Sequence, residues 1–186
     1  MLLAVFASVF AWSALHPHDY FTWMLEVFPA LIALAVLAVT YARFQFTTFV
    51  YALITLHACI LFVGGHYTYA LVPPMNWVRD HFHLLRNDYD RIGHFAQGFV
   101  PALVAREVLL RRKVVLRRGW MAFIVICICL SVSAAYELME WRVAVASGSA
   151  ADAFLGTQND PWDTQEDMAT ALLGAILALA PVRALA

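Results

Sequence analysis

The sequence predicts an all-α protein, a bundle of about six transmembrane helices in one compact domain over residues 1–186. Apolar residues make up 63% of the 186 residues, and the mean hydropathy is +0.72. Soluble domains contain only about 45–50% apolar residues. The excess is collected in runs, which is typical of a multi-pass membrane protein. We therefore expect the protein to be surrounded by lipid bilayer and to have no nucleic-acid partner.

Helix and interface signals place the spans along the chain. No Lys or Arg precedes the short first run, so the positive region of a signal peptide is missing and a membrane helix is favoured. Pro29 favours a helix start, where its missing N–H costs nothing, and Pro73 and Pro74 end the third helical region. Trp120 and Trp141 bracket the fifth run as interfacial aromatics. The predicted spans are roughly 1–15, 27–42, 48–65, 92–110, 119–139 and 165–182.

The basic residues predict the orientation in the membrane. Segment 106–119 carries half of the chain's 12 Lys and Arg residues, which indicates a cytoplasmic loop. Alternation from this loop places both termini in the cytoplasm. Of the 13 acidic residues, Glu107 alone then falls on the inner side. We therefore expect the polar chemistry at the outer face, below an aromatic and amphipathic loop at 66–90.

Three short motifs carry paired polar residues at this predicted outer face. Residues three or four apart lie on one helix face, and the topology gives all three pairs a similar depth. The sequence therefore predicts that the six side chains meet in one pocket near the outer interface. The pairs are Asp90 and His94 in DYDRIGHF, Glu137 and Glu140 in YELMEW, and Asp163 and Asp167 in WDTQEDM.

Helix electrostatics explains some of these acids without any site. Asp163 with Glu166 has the D-x-x-E form of a capping box, and Asp90 lies in a first turn, where the helix dipole favours a carboxylate. Glu137 and Glu140 fall at a predicted helix C-terminus, where the dipole disfavours anions. A charge near the membrane centre costs about 2.5–3.5 kcal/mol. An arginine, a proton or a bound cation should therefore compensate them.

Two kinds of compensation remain open at this point. One is a structural ion-pair network that uses Arg91 and Arg142. The other is a catalytic or metal site, in which Asp90 and His94 form an acid/base pair and Glu137 acts as a base. Mixed carboxylate and imidazole ligands suit Zn, Mn or Fe. The candidate metal ligands are His94, Glu137, Glu140, Asp163 and Asp167, and the candidate surrounding residues are Arg91, Arg142, His66 and Tyr67.

The same motifs carry a family resemblance. NDYDRIGHFAQGF, AAYELMEW and DPWDTQEDMATALLGAILAL resemble the YjdF family of bacterial inner-membrane proteins, and the likeness covers nearly the whole chain. A remoter similarity is to VanZ-like membrane proteins. Residues 90–95 match their D-K-x-x-H-F motif with Arg for Lys, and 137–140 has Glu where Gln is usual. Segment 167–174 departs from their last motif. The resemblance implies an inner-membrane protein with a polar site and no particular activity.

These observations lead to three hypotheses about function. In the first, the outer-face polar site binds or processes a lipid or a lipid-linked envelope molecule, with a divalent metal as one option. In the second, the carboxylates of an ion-coupled transporter bind H⁺ or a cation. In the third, the protein is a non-enzymatic membrane partner whose acidic network holds helix ends together. The sequence leaves open whether the protein is an enzyme.

Overall fold

The computed structural model describes residues 1–148 and 152–180, and within these ranges the chain forms helices and no strand. The all-α prediction is confirmed. A short 3₁₀ turn, Tyr69–Leu71, precedes the fourth α-helix. The α-helices are α1 Leu2–Ser13, α2 Tyr20–Thr40, α3 Thr48–Tyr67, α4 Pro73–Phe82, α5 Tyr89–Arg111, α6 Arg118–Ser147, α7 Asp152–Leu155 and α8 Asp163–Leu179.

Three of the described helices, α2, α3 and α6, are long and apolar enough to cross a membrane. α1 has 12 residues, which at 1.5 Å per residue gives about 18 Å, less than the roughly 30 Å of a bilayer core. By the same measure of length and apolarity, α5 and α8 do not qualify. The six-span topology and the cytoplasmic termini therefore stay predictions.

The start of the second span and the end of the fifth differ from the prediction. α2 begins at Tyr20, because Oδ2 of Asp19 accepts a hydrogen bond of 2.6 Å from the Thr22 amide and caps the helix. Pro29 lies inside α2. α6 continues to Ser147, and Gly148, with a φ of +56°, ends it. Glu137 and Glu140 thus lie within α6, and the argument from an unfavourable helix end does not apply to them.

The longer helices form two groups of three. α1, α2 and α3 share one core, and α5, α6 and α8 share another. α3 packs against α5 and joins the groups. The first core contains Phe6, Val27, Ala30, Ala58 and Phe62, and the second contains Ala102, Met121, Val125, Cys129, Ala175 and Ala178.

α5 and α8 make the closest helix contact of the second group. A Cβ atom added at Gly98 would overlap the Ala171 carbonyl and lie 2.9 Å from the Ala171 Cα. A Cβ atom at Gly174 would lie 2.9 Å from the amide nitrogen of Phe99. Small residues let two backbones approach in this way. Because Arg91 also reaches Asp167, the two helices run side by side in the same direction.

The bundle has a polar end and a basic end. α5 and α8 begin at the polar end. The loops before them are joined there through Asn87, whose backbone N–H donates to the Gln158 side chain and whose backbone carbonyl accepts from it, both at 2.9 Å. At the basic end α5 ends in Arg111, which pairs with Glu107 at 2.6 Å. Glu107 also accepts bonds of 2.9 Å from the amide and the hydroxyl of Thr47, so it fastens α5 to the start of α3.

The predicted orientation can be tested with reporter fusions. A reporter that is active only outside the cytoplasm should be inactive when fused after Val115 and active when fused after Gly148. The basic segment 106–119 should hold the α5–α6 connection in the cytoplasm. The reverse pattern of activity would place the polar end in the cytoplasm.

The close contact of α5 and α8 predicts a strong stability effect. Gly98→Ala should lower the thermal midpoint of the detergent-purified protein, since overpacking costs about 1–3 kcal/mol. Gly119→Ala is the control, because no atom lies within 4 Å of a Cβ added there. Equal thermal midpoints for both variants would show that the contact is not tight.

Candidate functional site

His94 is the centre of the polar end. It lies on α5 and is only 5% exposed. Its Nε2 lies 3.5 Å from Oδ1 of Asp90 and 3.7 Å from Oδ1 of Asp167. Its Nδ1 lies 3.0 Å from Oε1 of Gln97 and 3.7 Å from Oε1 of Glu137. Side chains from α5, α6 and α8 therefore converge on one imidazole ring.

The contacts of the ring favour one tautomer. The amide oxygen of Gln97 accepts a hydrogen bond from the ring when Nδ1 carries the proton. Nε2 then faces the two carboxylates of Asp90 and Asp167. Acceptors on both sides of Nε2 favour a second proton or a metal ion at this nitrogen.

Glu137 differs from the other acids in its surroundings. It is 6% exposed, and within the described residues its buried Oε1 has no hydrogen-bond partner. Its nearest recorded charge partner is Nδ1 of His94, at 3.7 Å. A buried polar atom without a hydrogen bond typically costs about 1–3 kcal/mol, so this oxygen is available to a proton or a ligand.

Two arginines hold the start of α8 against α5. Arg91 bonds Asp167, Glu166 at 2.8 Å, and both the side chain and the carbonyl oxygen of Asp163 at 3.1 Å. Arg86, from the loop before α5, bonds Oδ1 of Asp163 at 2.5 Å. Burial is the largest single influence and disfavours the Arg86 charge, but the bond to Asp163 together with the negative charges of Asp163 and Asp90 raises the pKa of the guanidinium above its usual value. Asp163 is thus neutralised on the arginine side of the site.

The structure therefore brings some of the predicted residues together and separates others. Asp90, Glu137 and Asp167 surround His94. Asp163 contacts the arginines. Glu140 has no recorded bond to His94 within the described chain, although both line one cavity.

Three of the predicted surrounding residues lie elsewhere. Arg142 is exposed, and its guanidinium lies over the neighbouring Trp141 ring at 5.7 Å. The His66 ring packs 4.3 Å from the Trp12 ring, and its Nδ1 lies 3.1 Å from the Ser13 carbonyl oxygen. Tyr67 packs beside Trp12 as well. His66 and Tyr67 thus join α1 to α3, whereas Arg142 lies at the surface of α6. A role for these three residues beside the acidic residues stays a prediction.

Three further residues of the polar end, Glu26, Tyr136 and Arg86, were not predicted from the sequence. Glu26 is a buried acid on α2, 3% exposed, and its Oε2 accepts a hydrogen bond of 3.2 Å from the Tyr136 hydroxyl. A lone carboxylate inside an apolar run is itself a signal of function in membrane proteins. Arg86 gave no comparable signal, because its partners lie far away in the sequence.

A cavity of about 1280 Å³ lies between the two helix groups and is lined by α1, α2, α3, α5 and α6. This volume exceeds the roughly 300–1,000 Å³ of ordinary small-molecule pockets. The wall is mostly apolar and extends as far as Arg112 at the basic end. The polar end of the wall contains Glu26, His57, Tyr69, Asp90, His94, Gln97, Tyr136 and Glu140.

One group of residues could hold a metal ion. Asp90, His94 and Asp167 each offer a ligand atom, and these atoms lie within 4.8 Å of one another. One imidazole and two carboxylates form a donor set that suits Zn, Mn or Fe. Glu137 approaches the opposite ring nitrogen, so it would orient the imidazole in this arrangement.

Comparison with known proteins agrees with the membrane assignment. The family described as Predicted membrane protein (DUF2238) matches residues 1–185. Inner membrane protein YjdF of Escherichia coli (strain K12) is 51% identical over 168 residues, which cover 90% of this chain and 80% of that protein. No solved structure matches the chain. The chain therefore belongs to the DUF2238 family of membrane proteins, and it is an integral protein of the bacterial inner membrane.

Proposed function

We propose that this protein binds a lipid or a lipid-linked amphiphile in the cavity and processes its head group at His94. The observation that carries the proposal is the form of the cavity. A long, mostly apolar space has the cluster that contains Asp90 and His94 at one end and Arg112 at the other. An amphiphile has the same division between an apolar chain and a polar head group.

The apolar part of the wall suits a hydrocarbon chain. α5 contributes Val100, Val104 and Val108, one below the other, and α2 contributes Leu34 and Leu37. Apolar contact with such a wall stabilises a chain by roughly 0.8 kcal/mol for each buried CH₂ group relative to water. In a membrane the competing environment is lipid, so the wall chiefly provides shape and position, and the polar end provides the selectivity.

The arrangement around His94 suits general acid–base chemistry. Nδ1 donates to Gln97, and Glu137 on that side would stabilise the imidazolium ion. Nε2 faces Asp90 and Asp167, so a proton can be held there and exchanged with a bound head group. A positioned acid or base typically contributes about 10²–10⁴-fold to a rate. Arg91 acts as a positioning residue, because it fixes the Asp167 carboxylate beside the ring.

A divalent ion at Asp90, His94 and Asp167 is the second candidate. It is favoured by the closeness of the three ligand atoms, and an ion there would polarise a head-group oxygen. Against it, the Arg91 guanidinium already bonds Asp167. A second cation beside this guanidinium would meet Coulomb repulsion. We therefore favour the proton over the metal at Nε2.

Filling the cavity should remove a bound amphiphile. Val104→Trp places an indole in the apolar part of the wall, so the purified variant should lose the lipid species that co-purify with the unsubstituted protein, as measured by mass spectrometry of extracts. Leu138→Trp is the matched control, since Leu138 is exposed on α6. Identical lipid profiles for both variants and the unsubstituted protein would contradict the proposal.

The acid–base role predicts a loss of processing without a loss of folding. His94→Gln and Glu137→Gln keep the size of each side chain but cannot exchange the proton. Lipid extracts of cells that lack their own copy of the protein should show a changed species when the unsubstituted chain is supplied and none with either variant. Asp80 is an exposed acid on α4, so Asp80→Asn should behave like the unsubstituted chain.

Metal analysis of the purified protein and its variants separates the proton mechanism from the metal mechanism. We expect well under one equivalent of Zn, Mn or Fe per chain, and no change on treatment with a chelator. One equivalent that is lost in Asp167→Asn would replace the proton mechanism by the metal one. Equal thermal midpoints of the variants and the unsubstituted protein would show that a loss of processing or of metal is not caused by unfolding.

A further inference from the structure

We propose that the amphiphile carries a cationic head group with a primary amine, bound between Glu26 and Glu140 at the polar end of the cavity. This inference rests on the proposed function and adds the chemical class of the ligand. It follows from which charges line the cavity and which charges are turned away from it.

Glu26 and Glu140 reach the cavity from two helices that pack little against each other. Glu26 lies on α2, and the Tyr136 hydroxyl on α6 donates a bond of 3.2 Å to its Oε2. Glu140 lies one turn after Tyr136 on the same helix, and all three side chains line the cavity. The polar end of the seam between α2 and α6 is therefore bordered by a carboxylate on each side.

The arginines of the site do not compensate these two acids. Arg91 and Arg86 direct their guanidinium groups mainly towards the acids of the loop before α8 and of its first turns, and neither arginine lines the cavity. Arg86 also lies 3.8 Å from Oδ2 of Asp90. The arginine on the described cavity wall is Arg112. Its guanidinium lies at the basic end, where it donates to the Arg43 carbonyl oxygen at 2.9 Å.

In the described chain, Glu26 and Glu140 thus line the polar end of the cavity with no arginine paired to them, whereas Arg86 and His94 approach Asp90. The imidazoles of His57 and His94 also line this wall. Like charges crowded in a weakly polar space repel each other, and a bound cation relieves this repulsion. A primary ammonium has three donors and no acceptor, which matches two carboxylates and the oxygen of Tyr136. The same carboxylates would repel a phosphate or sulfate head group.

Binding of three probes with the same chain length tests the head group. The full-length protein is purified in a bulky, uncharged detergent and titrated with dodecylamine, dodecanol and dodecyl sulfate. Dodecylamine should bind at least tenfold more tightly than dodecanol, and dodecyl sulfate should bind most weakly. A charge-assisted hydrogen bond is worth about ten- to a hundredfold in affinity.

Two substitutions assign the preference to these side chains. Glu26→Gln and Glu140→Gln should each reduce the ratio of dodecylamine to dodecanol affinity by about tenfold or more, and leave dodecanol affinity unchanged. Asp80→Asn, distant from the cavity wall, should leave the ratio unchanged. If Glu26→Gln does not fold, Tyr136→Phe removes the hydroxyl that bonds Glu26, and it should lower the same ratio.

The outcomes separate this inference from the proposed function. Equal affinities for dodecylamine and dodecanol, both abolished by Val104→Trp, would overturn the cationic head group while the amphiphile site stands. Tighter binding of dodecyl sulfate than of dodecylamine would also overturn the head-group inference. If Val104→Trp does not weaken the binding of the probes, the cavity is not their binding site. That result would overturn both the head-group inference and the proposed function.

Discussion

The close contact between α5 and α8 is the constraint on which the polar end depends. Gly98 and Gly174 let the two backbones touch, and the helices run side by side from the same end. Asp167 is thereby carried to His94, and Arg91 is carried to the first turns of α8. A larger spacing would leave Asp167 too far from the imidazole, and the bonds between Arg91 and α8 would be lost.

The same contact divides the charges of the polar end into two sets. On the α8 side, Arg86 and Arg91 neutralise the acids of the loop and of the first helical turns. On the cavity side, Glu26 and Glu140 face the space between the helix groups. Asp167 stands between the sets, because it bonds Arg91 and also approaches His94. The arginines thus hold α5 and α8 together, and within the described chain they form no ion pair with Glu26 or Glu140.

The helical class and the sharing of one helix face by Asp90 and His94 could be predicted from the sequence, because both depend on local patterns. Apolar runs indicate helices, and spacings of three or four fix which residues share a helix face. The arginine partners could not be found in this way. Arg86 bonds Asp163 across 77 positions, whereas Arg142, much nearer to Glu137 in the sequence, lies at the surface.

The helix ends show a second limit of local patterns. Pro29 suggested the start of α2, yet the cap at Asp19 determines it. Trp141 suggested the end of α6, yet the helix continues until a glycine with positive φ. Proline is compatible with a helix interior in membrane proteins, where neighbouring groups satisfy the freed carbonyl. Glu26 was missed because the second span was predicted to begin after this residue.

The contrast between Asp163 and Glu137 bears on whether the polar end only holds helices together. A purely structural network is expected to satisfy its buried acids, since an unpaired one costs free energy. Asp163 meets this expectation, with two arginines on its carboxylate. Glu137 does not, because one of its buried oxygens lacks a hydrogen bond in the described chain. An acid left in this state beside a histidine and near a large cavity is the observation that supports the proposed exchangeable proton or ligand.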